Sequence, residues 1–544
     1  MGPSCSGPMK GRPFLAVVLA LALLAAGLGL GGWALVLRRS PLALQHQALT
    51  LPRTALFVPR QAPLSLFLAT DGEQLVDYAR AVAPTRARRE ASEAVARLRD
   101  GAFAAAGLHY RDELASWLAP GLALALFDGG ATPTPEAAGV IAPSEAIAPS
   151  GGWLLALSSR DGQGARRFLQ RFWQTRSLAG TDLQVSRYRG MGLISGRGAL
   201  VGSEPVPLAT ALVADDLVLI ASGRGVLEQA LDASQIEELN LAGQPRFREA
   251  IERLGEGVGL LVARPAALEP WLGFPLPAAA EPQPGLLVAA LRPRGRFLEA
   301  AGQLDLSAPL PLQPADDPRQ RALLAGLVGQ PTSLALVQDP AGLLAQPLLA
   351  PLLRRAVLPS EAGPLPLRVA GGDGGPLLAA LGRQGWLFGT PADQPAPAGL
   401  EAALAAEGLL PAPLELPDRS ALVWTRLSAV AGADQLQATL SGWRAAEGGQ
   451  AWWGSSLALL EARPAGAAAA TSLIQRLDDL NRPLAPLRWS LAGAPARQLL
   501  QSWRPWRWLT ALAGGGTEPP VRGLALAVEA DGAALRLQAH LELG

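Results

Sequence analysis

Short apolar runs separated by clusters of proline and glycine dominate this chain, and they predict strands interspersed with short helices. Asp71 is the expected N-cap of the first helix. Strands are predicted over residues 64–69, 121–127, 153–158, 183–188, 192–195, 217–221 and 258–263. Helices are predicted over residues 71–82, 86–99, 164–175 and 225–233.

A hairpin closes the first half of the chain. Residues 286–291 and 297–306 have strand character, and residues 292–295, Arg-Pro-Arg-Gly, form a turn sequence between them. The proline-rich residues 308–318 follow as a predicted linker. Earlier in this half, residues 129–151 are rich in Pro, Ala and Gly and are expected to form a mobile loop.

The same pattern recurs beyond the linker. Segment 61–71 is echoed at 330–339, 217–231 at 386–404, 258–263 at 420–425, and the closing hairpin at 524–543. Four echoes in the same order favour an ancient duplication of one half. Strands joined by hairpins, without regular alternation of strand and helix, predict an α+β fold with a largely antiparallel sheet in two similar halves.

One segment near the N-terminus is long and apolar enough to cross a membrane. Residues 14–37 carry no charge, and as a helix they would extend about 36 Å, against a hydrocarbon core of about 30 Å. Small residues at 25–27 would also suit a cleaved signal peptide. The apolar run continues to Leu37, however, which favours an uncleaved transmembrane helix after a short tail at 1–13.

Charges around this segment leave its orientation open. Lys10 and Arg12 precede it and arginines at positions 38, 39, 53 and 60 follow it, so the positive-inside rule leans slightly toward an N-terminus outside the cytoplasm. The net charge of +1 gives no overall field that would recruit nucleic acid. Cys5 is the one cysteine, so disulfides and cysteine-based metal or redox motifs are excluded from the region after the anchor.

Familiar nucleophilic and metal motifs are missing from the sequence. No serine has glycines two residues away on both sides, as the nucleophile elbow of an α/β-hydrolase requires. The three histidines, His46, His109 and His540, have no neighbours at ligand spacing, so no metal site is expected. Structural roles are favoured for His109 and His540.

Three pairs of adjacent acids occur along the chain. Asp215-Asp216, Asp316-Asp317 and Asp478-Asp479 are interpreted as a turn, a linker end and a helix surface. Because the two carboxylates of a glycosidase need to be close only in space, a hydrolase that uses distant acids stays an alternative.

Two glycine-rich segments bear a limited likeness to phosphate-binding loops. Residues 27–32 match Gly-x-Gly-x-x-Gly but lie inside the predicted membrane span, where they could serve close helix packing. The turn at 222–225 joins a strand to a helix, yet Glu228 stands where its charge would oppose a phosphate. The only lysine precedes the anchor, which excludes a Walker loop, and no cofactor is predicted.

A segment near the C-terminus interleaves tryptophan and arginine. Trp503, Arg504, Trp506, Arg507 and Trp508 combine indole rings with guanidinium groups, which are both suited to a membrane interface or a partner surface. The opposing interpretation is a helix at the edge of the core with arginine stacked on tryptophan. These five residues are the predicted membrane or partner contact.

Several segments resemble one protein family. Residues 56–64, Leu-Phe-Val-Pro-Arg-Gln-Ala-Pro-Leu, are similar to the opening of the DUF3352 proteins, a family of unknown function common in cyanobacteria. Residues 108–118, 153–161, 180–190 and 214–231 fit the same pattern. The resemblance covers the anchor and residues 51–267 well and the remainder more loosely. It carries no catalytic residues, and it implies that the globular region lies in the periplasm or thylakoid lumen.

The sequence therefore predicts a single-pass membrane protein. Its segments are a tail (1–13), an anchor (14–37), a first α+β half (51–307), a linker (308–318) and a second half (319–544). The favoured function is a non-enzymatic binding or scaffold module that serves a membrane protein complex or an amphipathic ligand such as a lipid or pigment. An envelope hydrolase and a structural spacer are the alternatives.

Overall fold

The computed structural model describes residues 40–105, 107–127, 152–178, 180–199, 205–273, 281–359, 363–372, 375–417, 419–429, 436–462, 470–512 and 521–543. Over these ranges the chain is α+β with an antiparallel sheet, as the sequence predicts, and the structure joins 20 strands of both halves into one sheet. The predicted anchor at 14–37 and the predicted loop at 129–151 lie outside them. Of the helices in these ranges, none is both long and apolar enough to cross a bilayer.

The strands are β1 (Leu64–Leu68), β2 (Leu118–Leu126), β3 (Trp153–Ser159), β4 (Leu183–Tyr188), β5 (Met191–Ala199), β6 (Pro205–Val213), β7 (Leu217–Ala221), β8 (Gly259–Ala263), β9 (Pro284–Arg294), β10 (Phe297–Leu306), β11 (Pro331–Val337), β12 (Leu377–Gly382), β13 (Gly385–Pro391), β14 (Leu409–Leu416), β15 (Arg419–Ala429), β16 (Leu436–Glu447), β17 (Gln450–Gly454), β18 (Leu487–Ala492), β19 (Val521–Ala530) and β20 (Ala534–Leu543). Their spatial order is β4-β5-β6-β7-β3-β2-β1-β8-β9-β10-β20-β19-β18-β11-β12-β13-β17-β16-β15-β14.

The helices are α1 (Gly72–Val82), α2 (Arg88–Ala105), α3 (Gly162–Leu178), α4 (Arg224–Gln235), α5 (Pro245–Leu254), α6 (Pro265–Leu272), α7 (Asp317–Ala325), α8 (Pro340–Ala345), α9 (Ala350–Val357), α10 (Pro364–Ala370), α11 (Leu400–Ala406), α12 (Leu457–Ala462), α13 (Thr471–Asp479), α14 (Gly493–Gln501) and α15 (Arg504–Leu512). As predicted, Asp71 caps α1: its side chain accepts a hydrogen bond from the Glu73 amide, and Gln74 completes a capping box.

The second half of the sheet repeats the strand order of the first. Each strand from β1 to β10 has an equivalent whose number is ten higher, and β10 pairs with β20 where the halves meet. Helices occur in matching connections: α4 and α5 link β7 to β8, and α12 and α13 link β17 to β18. This repetition supports the duplication that the sequence suggests, which stays an interpretation.

Two of the four sequence echoes fall on equivalent strands, and two do not. β1 is equivalent to β11, and the hairpin β9–β10 to β19–β20, as the echoes imply. The echo of β7 at β13 and that of β8 at β15 were wrong, because the strand order makes β17 and β18 their equivalents. Many strands here are rich in Ala and Leu, so local similarity alone paired strands that occupy different places in the sheet.

Two layers of packing cover the sheet. On one face, a core shared by both halves joins residues of β9 and β10, such as Leu287 and Leu304, to residues of β19 and β20, such as Val528 and Leu535. On the other face, separate cores lie under α4 and α5 in the first half and under α12 and α13 in the second. Between these separate cores, the centre of the sheet carries polar side chains. We call this the central groove.

The proline-rich residues 308–318 pack against the second half. Leu310 and Ala315 are buried, and the Ala315 amide donates to the Leu484 carbonyl over 2.9 Å. Asp316 caps α7. The segment therefore leads directly into the next element of the fold.

Candidate functional site

The floor of the central groove is formed by alternate residues of the two strands that join the halves. Glu299 and Gln303 of β10 are buried on this face, as are His540 and Glu542 of β20. Glu299 lies directly opposite His540 in the register of the two strands. Buried charged residues are rare unless they are paired, so each one here requires a partner.

Glu299 is the most deeply buried carboxylate of the floor and is held by two arginines. Its side chain is 3% exposed, and it lies 3.1 Å from Arg292 and 2.9 Å from Arg294. Arg292 also donates to the backbone carbonyls of Glu256, over 2.8 Å, and Leu254. Arg292 therefore fixes the C-terminal end of α5 to the sheet while it neutralises Glu299.

The imidazole of His540 lies beside this pair, with its Nε2 atom 3.9 Å from the Glu299 carboxylate. Burial lowers the pKa of the His540 imidazole below its usual value, Arg294 lowers it as well, and Glu299 partly opposes the shift. The Nε2 atom of His540 lies 3.1 Å from the amide nitrogen of Gln538.

The walls of the groove come from equivalent places in the two halves. Arg253 lies in the last turn of α5, and Arg482 follows α13 in the second half. Together with Gln303 and Gln538 of the two central strands they line a cavity of about 160 Å³. Its lining includes the guanidinium groups of Arg253, Arg292, Arg482 and Arg536, the amides of Gln303 and Gln538, and the carboxylate of Glu529.

The two hairpins that meet here carry an arginine and a glutamate at equivalent positions with the charges exchanged, although Arg536 pairs with Asp531 over 2.6 Å and Glu529 lies beside Arg482. Arg292 of β9 lies opposite Glu299 of β10, and Glu529 of β19 lies opposite Arg536 of β20. Each pair is the third from the turn of its hairpin. The pair next to the turn is Arg294 with Phe297 in the first hairpin and Asp531 with Ala534 in the second. Because of this exchange the charges in the groove differ between the halves, although the strands and helices around it are equivalent.

Most of the guanidinium groups that line the cavity have weak partners. Arg253 pairs with Glu249 over 3.2 Å, and both side chains are about half exposed. Arg482 is 3.5 Å from Glu529 and donates to Gln538 over 2.6 Å. Exposed ion pairs contribute about 0–1 kcal/mol, so an incoming anion could replace them at little cost. The chemistry of the groove suits recognition of a carboxylate or phosphate group.

The predicted Trp–Arg contact lies at a second junction between the halves. Trp503 precedes α15, and its indole Nε1 donates to the Leu272 carbonyl at the end of α6 over 2.9 Å. The guanidinium of Arg504 lies 4.3 Å from the ring centre of Trp271, also in α6. Burial lowers the pKa of Arg504, and the neighbouring charge of Arg507 adds to the shift.

The remaining residues of that contact differ in exposure. Trp506 is partly buried against the core shared by both halves, whereas Arg507 is exposed. The side chain of Trp508 lies outside what the structure describes. Arginine stacked on tryptophan at the edge of the core agrees with the opposing interpretation of this segment. A role in membrane or partner contact stays a prediction.

The other residues noted in the sequence are spread over the fold. His46 is exposed near Glu256, and the His109 amide donates to the Glu113 carboxylate over 2.7 Å. Asp215-Asp216 form a turn, and Asp478-Asp479 end α13. In the part of the chain that the structure describes, no three His, Cys, Asp or Glu residues are grouped to bind a metal.

The central groove was missed in the sequence. Its signal was the strict alternation of polar and apolar residues in β20, as in Arg536, Gln538, His540 and Glu542. Such alternation normally marks a strand with one face in water. The structure instead buries His540 and Glu542 and leaves only Arg536 of the four exposed.

Comparison with known proteins gives one family and distant structural likenesses. None of the curated proteins matches the sequence. Solved structures of TP0453 in crystal forms I and IV share 12% and 11% identity with the chain; they cover 47% and 48% of it and 79% and 83% of their own chains. Their TM-scores of 0.26 and 0.25 are too low to carry an argument.

The family model described as "Protein of unknown function (DUF3352)" matches residues 18–334, from within the predicted anchor into β11. The match spans more than half of the chain and includes the segments whose resemblance the sequence displayed. This chain therefore belongs to the DUF3352 family.

Proposed function

We propose that this protein is a membrane-tethered, non-enzymatic binding or scaffold module whose central groove receives an anionic group of its partner. One observation supports this most: four arginines contributed by both halves line a cavity of about 160 Å³ that contains a single lining carboxylate, Glu529. Residues 14–37 would hold the module at a membrane, with the globular region in the periplasm or thylakoid lumen.

The pairing of the groove's acids favours binding over hydrolysis. General acid–base catalysis needs a carboxylate that can exchange a proton near the working pH. Glu299 is buried between Arg292 and Arg294, and Glu529 lies beside Arg482. Both carboxylates are engaged by guanidinium groups of the protein, an arrangement that suits electrostatic positioning of a bound group.

The test is an affinity purification of the full-length, C-terminally tagged protein from its own membranes. Proteins and lipids that co-purify are quantified for the wild type and for the double variant Arg482→Gln/Arg536→Gln. Each charge-assisted hydrogen bond to a bound anion is worth about 1.5–3 kcal/mol, so recovery of the partner should fall by about tenfold or more.

The matched control is Arg166→Gln, which removes an equally exposed arginine paired with Asp215 far from the groove. It should leave recovery unchanged. Enrichment of no protein, lipid or pigment above background would refute the binding role. Equal recovery with the double variant would refute the groove as its site.

A further inference from the structure

The two ends of the sheet differ in a way that bears on assembly. β4 and β14 are equivalent strands and are the outermost strands of the described sheet. An outermost strand presents unpaired amides and carbonyls that can accept another strand. The two edges differ in whether they can pair with a further strand.

In β14, the residues whose backbone faces outward include two prolines, so the outer edge of this strand cannot pair fully with another strand. Leu416 lies opposite Arg419 where the ladder with β15 begins, and a first pair only three residues apart in sequence is of the hydrogen-bonded kind. Alternate residues then face the partner strand, so positions 411, 413 and 415 face outward. Pro411 and Pro413 occupy two of these positions and have no N–H to donate. A further strand cannot form a full ladder there.

In β4, by contrast, every residue whose backbone faces outward can donate a hydrogen bond to another strand. Tyr188 and Met191 flank the turn Arg189-Gly190, whose φ angles of 50° and 81° are those of a tight hairpin turn. The outward positions are therefore Leu183, Val185 and Arg187, all of which carry an N–H. Within the described residues β4 pairs only with β5.

The side chain of Val185 on this edge strand is unusually exposed for an apolar residue, at 79%. Ser186 has a buried hydroxyl with no hydrogen-bond partner among the described residues. A strand added at this edge would cover Val185 and would bring a hydrogen-bond partner to the Ser186 hydroxyl.

We propose that β4 pairs antiparallel with β4 of a second copy of this chain, with Val185 on the two-fold axis. In this register Leu183 faces the copy's Arg187 and Val185 faces its own counterpart, so every outward N–H and C=O of the strand is used. Gln184 faces the copy's Ser186, whose hydroxyl then gains an amide donor. No like charges lie opposite each other.

A second copy is the occupant because the chain already joins its halves in this manner. β10 and β20 are equivalent edge strands of the two halves, and they pair antiparallel across the approximate two-fold axis. The outward positions of β4 are symmetric about Val185, as an isologous contact requires. The same contact at β14 is blocked by its prolines, so the assembly closes as a dimer.

Disulfide trapping tests the register on the full chain in detergent micelles, with Cys5 replaced by Ser. Two residues on the axis of a hydrogen-bonded pair have Cα atoms about 5.5 Å apart, within disulfide range. Val185→Cys should therefore cross-link into a dimer on mild oxidation. Gln184→Cys, displaced by one residue on each strand, lies beyond about 7 Å from its copy and should not.

Light scattering of the micelle complexes supplies the second readout. The wild type and Val185→Thr, which keeps the N–H, should be dimeric. Val185→Pro should be monomeric with unchanged circular dichroism, because its N–H faces away from β5. Equal cross-linking at both positions, a monomeric wild type, or a Val185→Pro variant that stays dimeric would overturn the proposal. So would a different protein bound at this edge in place of the copy.

Discussion

Tyr110 connects the start of α1 to the buried side of α2. Its hydroxyl donates to the Asp71 carboxylate over 3.1 Å, and the guanidinium of Arg99 lies 3.9 Å from its ring centre. Arg99 is buried and pairs with Glu73 over 2.8 Å. The cap at Asp71 was predictable from local sequence, whereas its partner lies 39 residues further on.

The titration of Tyr110 gives a pH-dependent prediction. Burial, aided by the charge of Asp71, raises the pKa of Tyr110 to about 12 from 10.0. A raised pKa in the folded state stabilises the protein fully below about pH 10, and this contribution is lost as the pH rises toward 12. The loss is about 1.4 kcal/mol per pH unit in this window.

Urea unfolding of the wild type and Tyr110→Phe at pH 8 and pH 11 checks this effect. At pH 8 the variant should be about 1 kcal/mol less stable, because the hydrogen bond to Asp71 is gone. At pH 11 the gap should close or reverse, since the phenylalanine cannot ionise. A gap that is the same at both pH values would contradict the assignment.

At the scale of elements, α15 is fixed to α6 by the indole of Trp503. The sequence predicted a helix-like segment rich in tryptophan and arginine but could not show which surface it meets. Trp271 and Leu272, its partners, lie over 230 residues earlier. An amphipathic pattern marks the apolar side of an element and leaves open whether protein or membrane covers it.

Trp503→Phe should therefore lower stability. It removes the donor to the Leu272 carbonyl, and an unpaired buried acceptor costs about 1–3 kcal/mol. Arg507→Gln is the comparison, because Arg507 is exposed and its loss should change stability by less than about 0.5 kcal/mol. Chemical unfolding of the full chain measures both. Equal effects of the two substitutions would count against the contact between α15 and α6.

At the scale of the whole molecule, the two halves share a sheet and a core. β10 and β20 pair over nine residues from Phe297 to Asp305. Leu304 of β10 and Leu535 of β20 belong to the same core. Neither half can lose its central strand without exposing an edge and apolar surface of the other.

The halves should consequently unfold together. Leu535→Ala, at a fully buried site of the shared core, should cost about 2–5 kcal/mol. In hydrogen exchange of the full chain, amides of β2 and β3 in the first half should lose as much protection as those of β11 and β18 in the second. Leu178→Ala, at an exposed position, should change neither. Loss of protection confined to the second half would show that the halves unfold independently.

The sequence by itself determined the local elements and the fold class, because capping, turn chemistry and strand periodicity act over a few residues. Asp71 at a helix start and the hairpin around Asp531-Gly532 are such cases. It also indicated the family.

Tertiary structure decided which strands are equivalent and where the groove lies. His540 reads as one polar position of an alternating strand, and only the pairing of β20 with β10 places it opposite Glu299. Burial of such a position depends on what covers the sheet, and that cover is supplied by helices remote in sequence.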